Sequence, residues 1–167
     1  WAISWVAHQV VTDPVHLFDG NIFWPERRTL AFSEAMIVQG LMAAPIRWLG
    51  GSPVLAYNFV MFAGYVLTAF AFGLLAYRWT GSWPAAFVVA SAAGFNSHLF
   101  PRMAHLQAMH VEFIALALFG LDQAVTRARF RDALMLVVGF VLYGRTGIHL
   151  QPLSLCALRS SGILGFQ

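Results

Sequence analysis

Lysine is missing from the 167 residues, and all ten basic residues are arginine. So one-sided a choice reflects genomic base composition more than chemistry. The net charge of +3 and the pI near 9.6 therefore say little about partners, and a nucleic-acid partner is not expected. Cysteine is nearly absent too: Cys156 stands alone, which excludes an internal disulfide and a cysteine-based metal cluster. Charge of either sign is scarce, at 10% of residues, where a soluble domain carries about a quarter. What replaces it is apolar: 59% of the chain is hydrophobic and the mean hydropathy is +0.69. Those values exclude an ordinary soluble domain and imply a polytopic bundle of transmembrane helices.

The first apolar stretch, Trp1 to Val11, is too short to cross a bilayer alone and has neither a basic leader nor a small-residue cleavage site, so it reads as the end of a truncated first span rather than a signal peptide. Residues 12–52 then mix charge, aromatics and proline and form the expected extramembrane loop. Within it Pro25 suits a first helical position. Leu30, Ile37, Leu41, Ala44 and Trp48 recur at helical spacing, as in an amphipathic helix lying in the membrane interface, and Gly50 and Gly51 would end it.

Ser52-Pro53 and Ser82 with Pro84 are helix-start signals, and they precede the expected spans 54–77 and 84–100. Two more spans are expected over 103–125 and 132–150, with an irregular tail at 151–167, all within one transmembrane domain fragment. Arg127, Arg129 and Arg131 cluster between the last two spans, and retained arginine marks the cytoplasmic side. Alternation then puts Arg78 inside and both the Pro101 turn and the 12–52 loop outside.

Polar residues gather at the outer side in two places. The loop holds Asp13, Asp19, Asn21, Arg27, Arg28 and Glu34. The second group is Arg102, His105, Gln107, His110 and Glu112. If residues 103–125 are helical throughout, Arg102, His105, Met109 and Glu112 fall within one narrow arc, while Gln107 points away. Glu112 would then lie well below Arg102, inside the membrane. A carboxyl there reads equally as a functional group or as a neutral acid bonded to His105 or a neighbouring helix. His98 and His110 read as interfacial polar residues. Asp13 could serve as a general base toward a hydroxyl, and the outer arginines could hold a phosphate. The same residues also fit plainer roles: Asp13-Pro14 an Asx turn, Asp19-Gly20-Asn21 a turn, Arg27 and Arg28 lipid-headgroup contacts. No cofactor is expected; a divalent metal stays open without support, since Asp13, Asp19 and Glu34 lack a recognised metal-ligand spacing.

The run from Asp13 to Glu34, DPVHLFDGNIFWPERRTLAFSE, resembles the first outer loop of bacterial multi-pass membrane proteins with GT-C glycosyltransferase architecture. Pro101 to Gln107, PRMAHLQ, resembles their arginine and His-x-Gln turn, so that the two cover most of residues 1–125. The resemblance implies a protein of the bacterial inner membrane that transfers a sugar from a polyprenyl-phosphate donor to an acceptor at the outer face. It implies an acidic residue of the first loop as general base, Asp13 by best match and Asp19 in reserve, with Arg102 and His105 at the donor phosphate or sugar. Such proteins carry about a dozen helices, more than this chain holds. Two other classes stay open: a transporter or lipid flippase, for which Glu112 speaks, and a non-catalytic membrane scaffold.

Overall fold

The computed structural model describes residues 1–23, 25–32, 35–97, 99, 101, 103–127 and 129–146. Among these residues the chain is all-helical, with six α-helices and no strand. Glu34, His98, Arg102 and the expected tail at 151–167 lie outside the described residues.

The first helix, α1 (Ala2–Thr12), packs against α2 (Ile37–Trp48). Their contact depends on Gly40, where a Cβ would fall 2.5 Å from the side chain of Val6. The chain leaves α2 through Gly50 at φ +85°, a left-handed conformation that glycine adopts without strain, as its sequence position implied. The rest of the loop departs from expectation. Pro25 sits in a turn rather than opening a helix, and Leu30 belongs to a short 3-10 turn, Thr29–Phe32. The face of α2 that is buried comprises Gln39, Gly40, Ala43 and Ala44, while Leu41 and Trp48 lie on the exposed side. Small residues turn inward because they let α2 approach α1, a tertiary preference that outweighs the apolar stripe.

The central helix is α3 (Pro53–Thr80). Its start and stop are local chemistry: Ser52 Oγ accepts from the Leu55 amide at 3.1 Å, and Gly81 adopts φ +65° just past the end. At 28 residues it is the one helix among those described that is long and apolar enough to cross a membrane. Ser82 caps α4 (Trp83–Gly94) in the same way, its Oγ accepting from the Ala85 amide. This helix ends at residue 94 rather than 100, and the Asn96 side chain bonds the Ala93 carbonyl and the Leu99 amide in the turn that follows. Its 12 residues span about 18 Å at 1.5 Å per residue, short of the ~30 Å apolar core of a bilayer.

The last pair is α5 (Glu112–Arg127) and α6 (Phe130–Thr146), of 16 and 17 residues. Helix α5 therefore starts nine residues later than the expected 103. Residues 103–111 form turns and a short 3-10 segment, Leu106–Met109, whose Leu106 and Met109 are fully buried. Helix α3 touches α4, α5, α2 and the 106–109 segment, and α6 touches both α5 and α2.

The helices meet through small residues. A Cβ on Gly73 would lie 3.0 Å from Ala90 and one on Gly94 2.8 Å from Ala69, joining α3 to α4. A Cβ on Gly120 would lie 2.5 Å from the Leu136 amide nitrogen and one on Gly139 2.7 Å from that of Ala117, so α5 and α6 touch backbone to backbone. Large apolar side chains face outward instead: Phe59, Phe62, Val66 and Phe70 on α3, Phe87 on α4, Val125 on α5, and Val137 and Phe140 on α6 are all exposed.

Candidate functional site

Two polar centres emerge, one on the loop after α1 and one in the interior beside α3. The loop centre begins where Asp13 caps the C-terminal end of α1, its amide bonding the Gln9 carbonyl. Pro14 fixes φ and opens a single 3-10 turn, Pro14–His16, which brings His16 back over Asp13. His16 Nδ1 and Asp13 Oδ2 are 2.7 Å apart, and both side chains are about half exposed. Asp13 is thus joined to an imidazole and open to solvent.

Asp19 is placed differently. Its Oδ1 accepts from the backbone amide of Arg28 at 2.9 Å, and Arg28 itself adopts φ +57°, a left-handed conformation rare for a side chain of its size. The carboxylate therefore braces a strained turn. Around it the Leu30 amide bonds the Phe18 carbonyl, and the buried Thr29 hydroxyl donates to the Gly20 carbonyl at 2.9 Å. Asn21 Oδ1 accepts from the Trp1 indole at 3.1 Å, and the Trp5 indole donates to the Leu17 carbonyl at 2.9 Å. These indoles tie the loop to α1. Arg27 and Arg28 extend exposed side chains from it.

The interior centre is built on α5, α3 and segment 103–111. Glu112 is buried at the first position of α5. Its Oε1 lies 2.6 Å from His110 Nδ1, and its Oε2 accepts from the Thr68 hydroxyl of α3 at 3.1 Å. That hydroxyl also lies 3.4 Å from the Met109 carbonyl. The His110 ring stacks near Phe113, with centroids 6.3 Å apart. A buried carboxyl needs such partners, since an unpaired charge in apolar surroundings is strongly unfavourable.

Three expectations are corrected here. His105, Met109 and Glu112 do not share an α-helical arc, because residues 103–111 are not α-helical: His105 is exposed, whereas Met109 and Glu112 are buried. Of the partners expected for Glu112, His110 takes the place of His105, while the neighbouring helix holds, since Thr68 of α3 donates to the carboxyl. His110 is not interfacial but 1% exposed. The physical reason is the same for all three, since a tight turn draws Leu106, Met109 and His110 into the bundle and the helix restarts only afterwards. Gln107 is drawn in with them.

Among the described residues, no hydrogen bond or ion pair joins Asp13, Asp19, Asn21, Arg27 or Arg28 to His105, Gln107 or Glu112. Nor do any three His, Cys, Asp or Glu side chains among them group to hold a metal. At the other end of α3, Arg78 Nε and Asp122 Oδ2 of α5 pair at 3.1 Å. Sequence reasoning missed Thr68 and the part played by His110. The available signal was Thr68 itself, a hydroxyl midway along an uncharged run. The chain matches no family model, no curated protein and no solved structure.

Proposed function

We propose that the chain is part of a multi-pass membrane protein of the bacterial inner membrane that transfers a sugar from a polyprenyl-phosphate donor to an acceptor hydroxyl at the outer face. Two features support membrane immersion beyond α3. Large apolar side chains cover the outside of α3 to α6 while glycine and alanine mediate their contacts, the pattern expected where the solvent is lipid and helices associate by close packing. The non-helical segment 106–111 is compatible with this, since irregular backbone is tolerated at membrane depth when protein buries it, and Leu106, Gln107, Met109 and His110 are buried.

The observation that carries the chemical reading is the Asp13–His16 pair at 2.7 Å on a half-exposed loop. The Asp13 carboxylate takes the proton of the acceptor hydroxyl as its oxygen attacks the anomeric carbon. The bond from that carbon to the donor phosphate breaks, and polyprenyl phosphate leaves. His16 holds the carboxylate in place, and Arg27 and Arg28 offer their guanidinium groups to the phosphate. Asp19, which braces the Arg28 turn, has a structural part.

Transfer of radiolabelled sugar from polyprenyl-phosphate donors, measured on the full-length parent and on its Asp13→Asn variant, tests this. Loss of transfer in a normally inserted variant is expected. A parent inert with every donor would overturn the reading and advance a second one: transport, favoured by the buried Thr68–Glu112–His110 cluster beside a break in helical structure.

A further inference from the structure

The α3–α4 corner and the α5–α6 corner share one end of the bundle, and the contacts between helices fix how level they are. Thr68 of α3 bonds Glu112 of α5, and Arg78 of α3 pairs with Asp122 of α5; in both pairs the partners stand 44 residues apart. Helices α3 and α5 therefore run parallel, with Trp79 level with residue 123. Helix α4 runs back along α3, since Gly94 meets Ala69 and Gly73 meets Ala90, which sets Trp83 level with Thr80. Helix α6 runs back along α5, since Gly120 meets Leu136 and Gly139 meets Ala117, which sets Arg131 level with Val125. Trp79, Trp83, Arg131 and Arg127 thus lie within about 6 Å of one another along the helix axes, at 1.5 Å per residue.

This end is aromatic and basic together. Trp79 and Trp83 are 60% and 66% exposed, and the Tyr77 ring stacks on Trp83 with centroids 4.2 Å apart. Arg127, Arg129 and Arg131 are exposed, and so is Phe130 between them. Among the described residues none of the three arginines has an ion-pair partner. The acids nearby do not offset them: Asp122 is paired with Arg78, and Asp132 Oδ2 is turned away from solvent. One turn along α4 from Trp83, Phe87 is exposed, so the indoles adjoin the apolar face of the bundle. Trp48, exposed at the end of α2, marks the opposite end, one length of α3 away: 28 residues, or about 42 Å. A bilayer with its headgroup layers is ~40–45 Å thick.

Indoles settle where hydrocarbon meets headgroups, and arginines beside them reach the phosphates, so the order from apolar face to indole to guanidinium follows the order of the bilayer itself. An acidic protein would engage the arginines but give the indoles and the adjoining apolar face no place. A zwitterionic headgroup brings its own cation beside the phosphate, so lipids of net negative charge fit better. We propose that this end of the bundle binds anionic phospholipid headgroups, with Trp79 and Trp83 at the hydrocarbon boundary and Arg127, Arg129 and Arg131 on the lipid phosphates. The proposal rests on the membrane immersion of the reading above and not on its sugar chemistry. Each arginine held at an anionic surface strengthens association roughly fivefold.

The test uses the full-length protein in a cysteine-free background with Val125→Cys, an exposed position level with the arginines, carrying a bimane fluorophore. It is reconstituted into phosphatidylcholine bilayers containing nitroxide-labelled phosphatidylglycerol or, separately, phosphatidylcholine labelled at the same acyl position. Half-quenching is expected at a roughly fivefold lower fraction of the phosphatidylglycerol. Combined Arg127→Gln, Arg129→Gln and Arg131→Gln is expected to bring the two fractions together, and 1 M salt to narrow the gap by screening. Replacing the same three by lysine is expected to keep most of the preference, because the charge stays. Equal quenching by both lipids, or a preference that survives the three glutamine substitutions, would overturn the proposal and leave the arginines to an acidic protein, with membrane immersion still standing. Absence of quenching by either lipid would overturn the membrane reading as well.

Discussion

The loop after α1 and the segment before α5 are both polar and both non-helical, yet their side chains are engaged in different ways. In the loop, Asp19, Asn21 and Thr29 bond a backbone amide, an indole and a backbone carbonyl of the same N-terminal region. Their polarity is consumed in holding a shape, and Asp13 stands apart because its partner, His16, is an imidazole on the same exposed turn. In segment 103–112 the polar groups bond one another across the bundle, Glu112 to His110 and to Thr68, and two atoms are left over at Gln107 and His110. A surface loop can leave a polar atom to water at little cost, whereas a buried segment cannot.

Substitutions can break or sharpen this contrast, and the largest effect belongs to the loop. Asp13→Asn should lower sugar transfer by roughly two to four orders of magnitude, the range of a general base, while thermal unfolding in detergent stays within about 0.5 kcal/mol of the parent. Glu112→Ala should do the opposite in kind. It strips His110 and Thr68 of a buried partner and should destabilise by roughly 3–5 kcal/mol, read from the same unfolding curve, whereas Glu112→Gln keeps an acceptor for Thr68 and loses less. Thr68→Val should cost about 1–2 kcal/mol, since one oxygen of the buried carboxyl loses its donor. The smallest change is Asp19→Ala, about 1 kcal/mol, accompanied by faster proteolysis between residues 19 and 32 as the Arg28 turn is released. Should Asp19→Ala abolish transfer while Asp13→Asn leaves it intact, the roles of the two loop acids are exchanged.

The elements legible in the sequence are those that local chemistry decides. Ser52-Pro53 and Ser82 with Pro84 open helices because the cap and the fixed φ act within three residues, and Gly50 closes one because a left-handed turn needs it. The start of α5 is not legible for the opposite reason. Met103 to Val111 holds good helix formers and neither proline nor glycine, so nothing local forbids a helix. It is interrupted because Leu106, Met109 and His110 are buried against α3 and Glu112 finds Thr68 there, 44 residues away. The same limit hid the division of labour between Asp13 and Asp19. Both precede turn-forming residues, and what separates them is the turn at Arg28, nine residues beyond Asp19. The inward face of α2 was likewise set by Val6 meeting Gly40.

The contrast between the two regions has meaning only if the chain crosses the bilayer so that the Asp13 loop and Arg129, between α5 and α6, lie on opposite sides. In a Cys156→Ser background, single cysteines at the exposed positions Val15 and Arg129 can be labelled in intact cells with a membrane-impermeant thiol reagent. The account predicts labelling at residue 15 in intact cells and at residue 129 only after the inner membrane is opened. Labelling of both from the same side would contradict it.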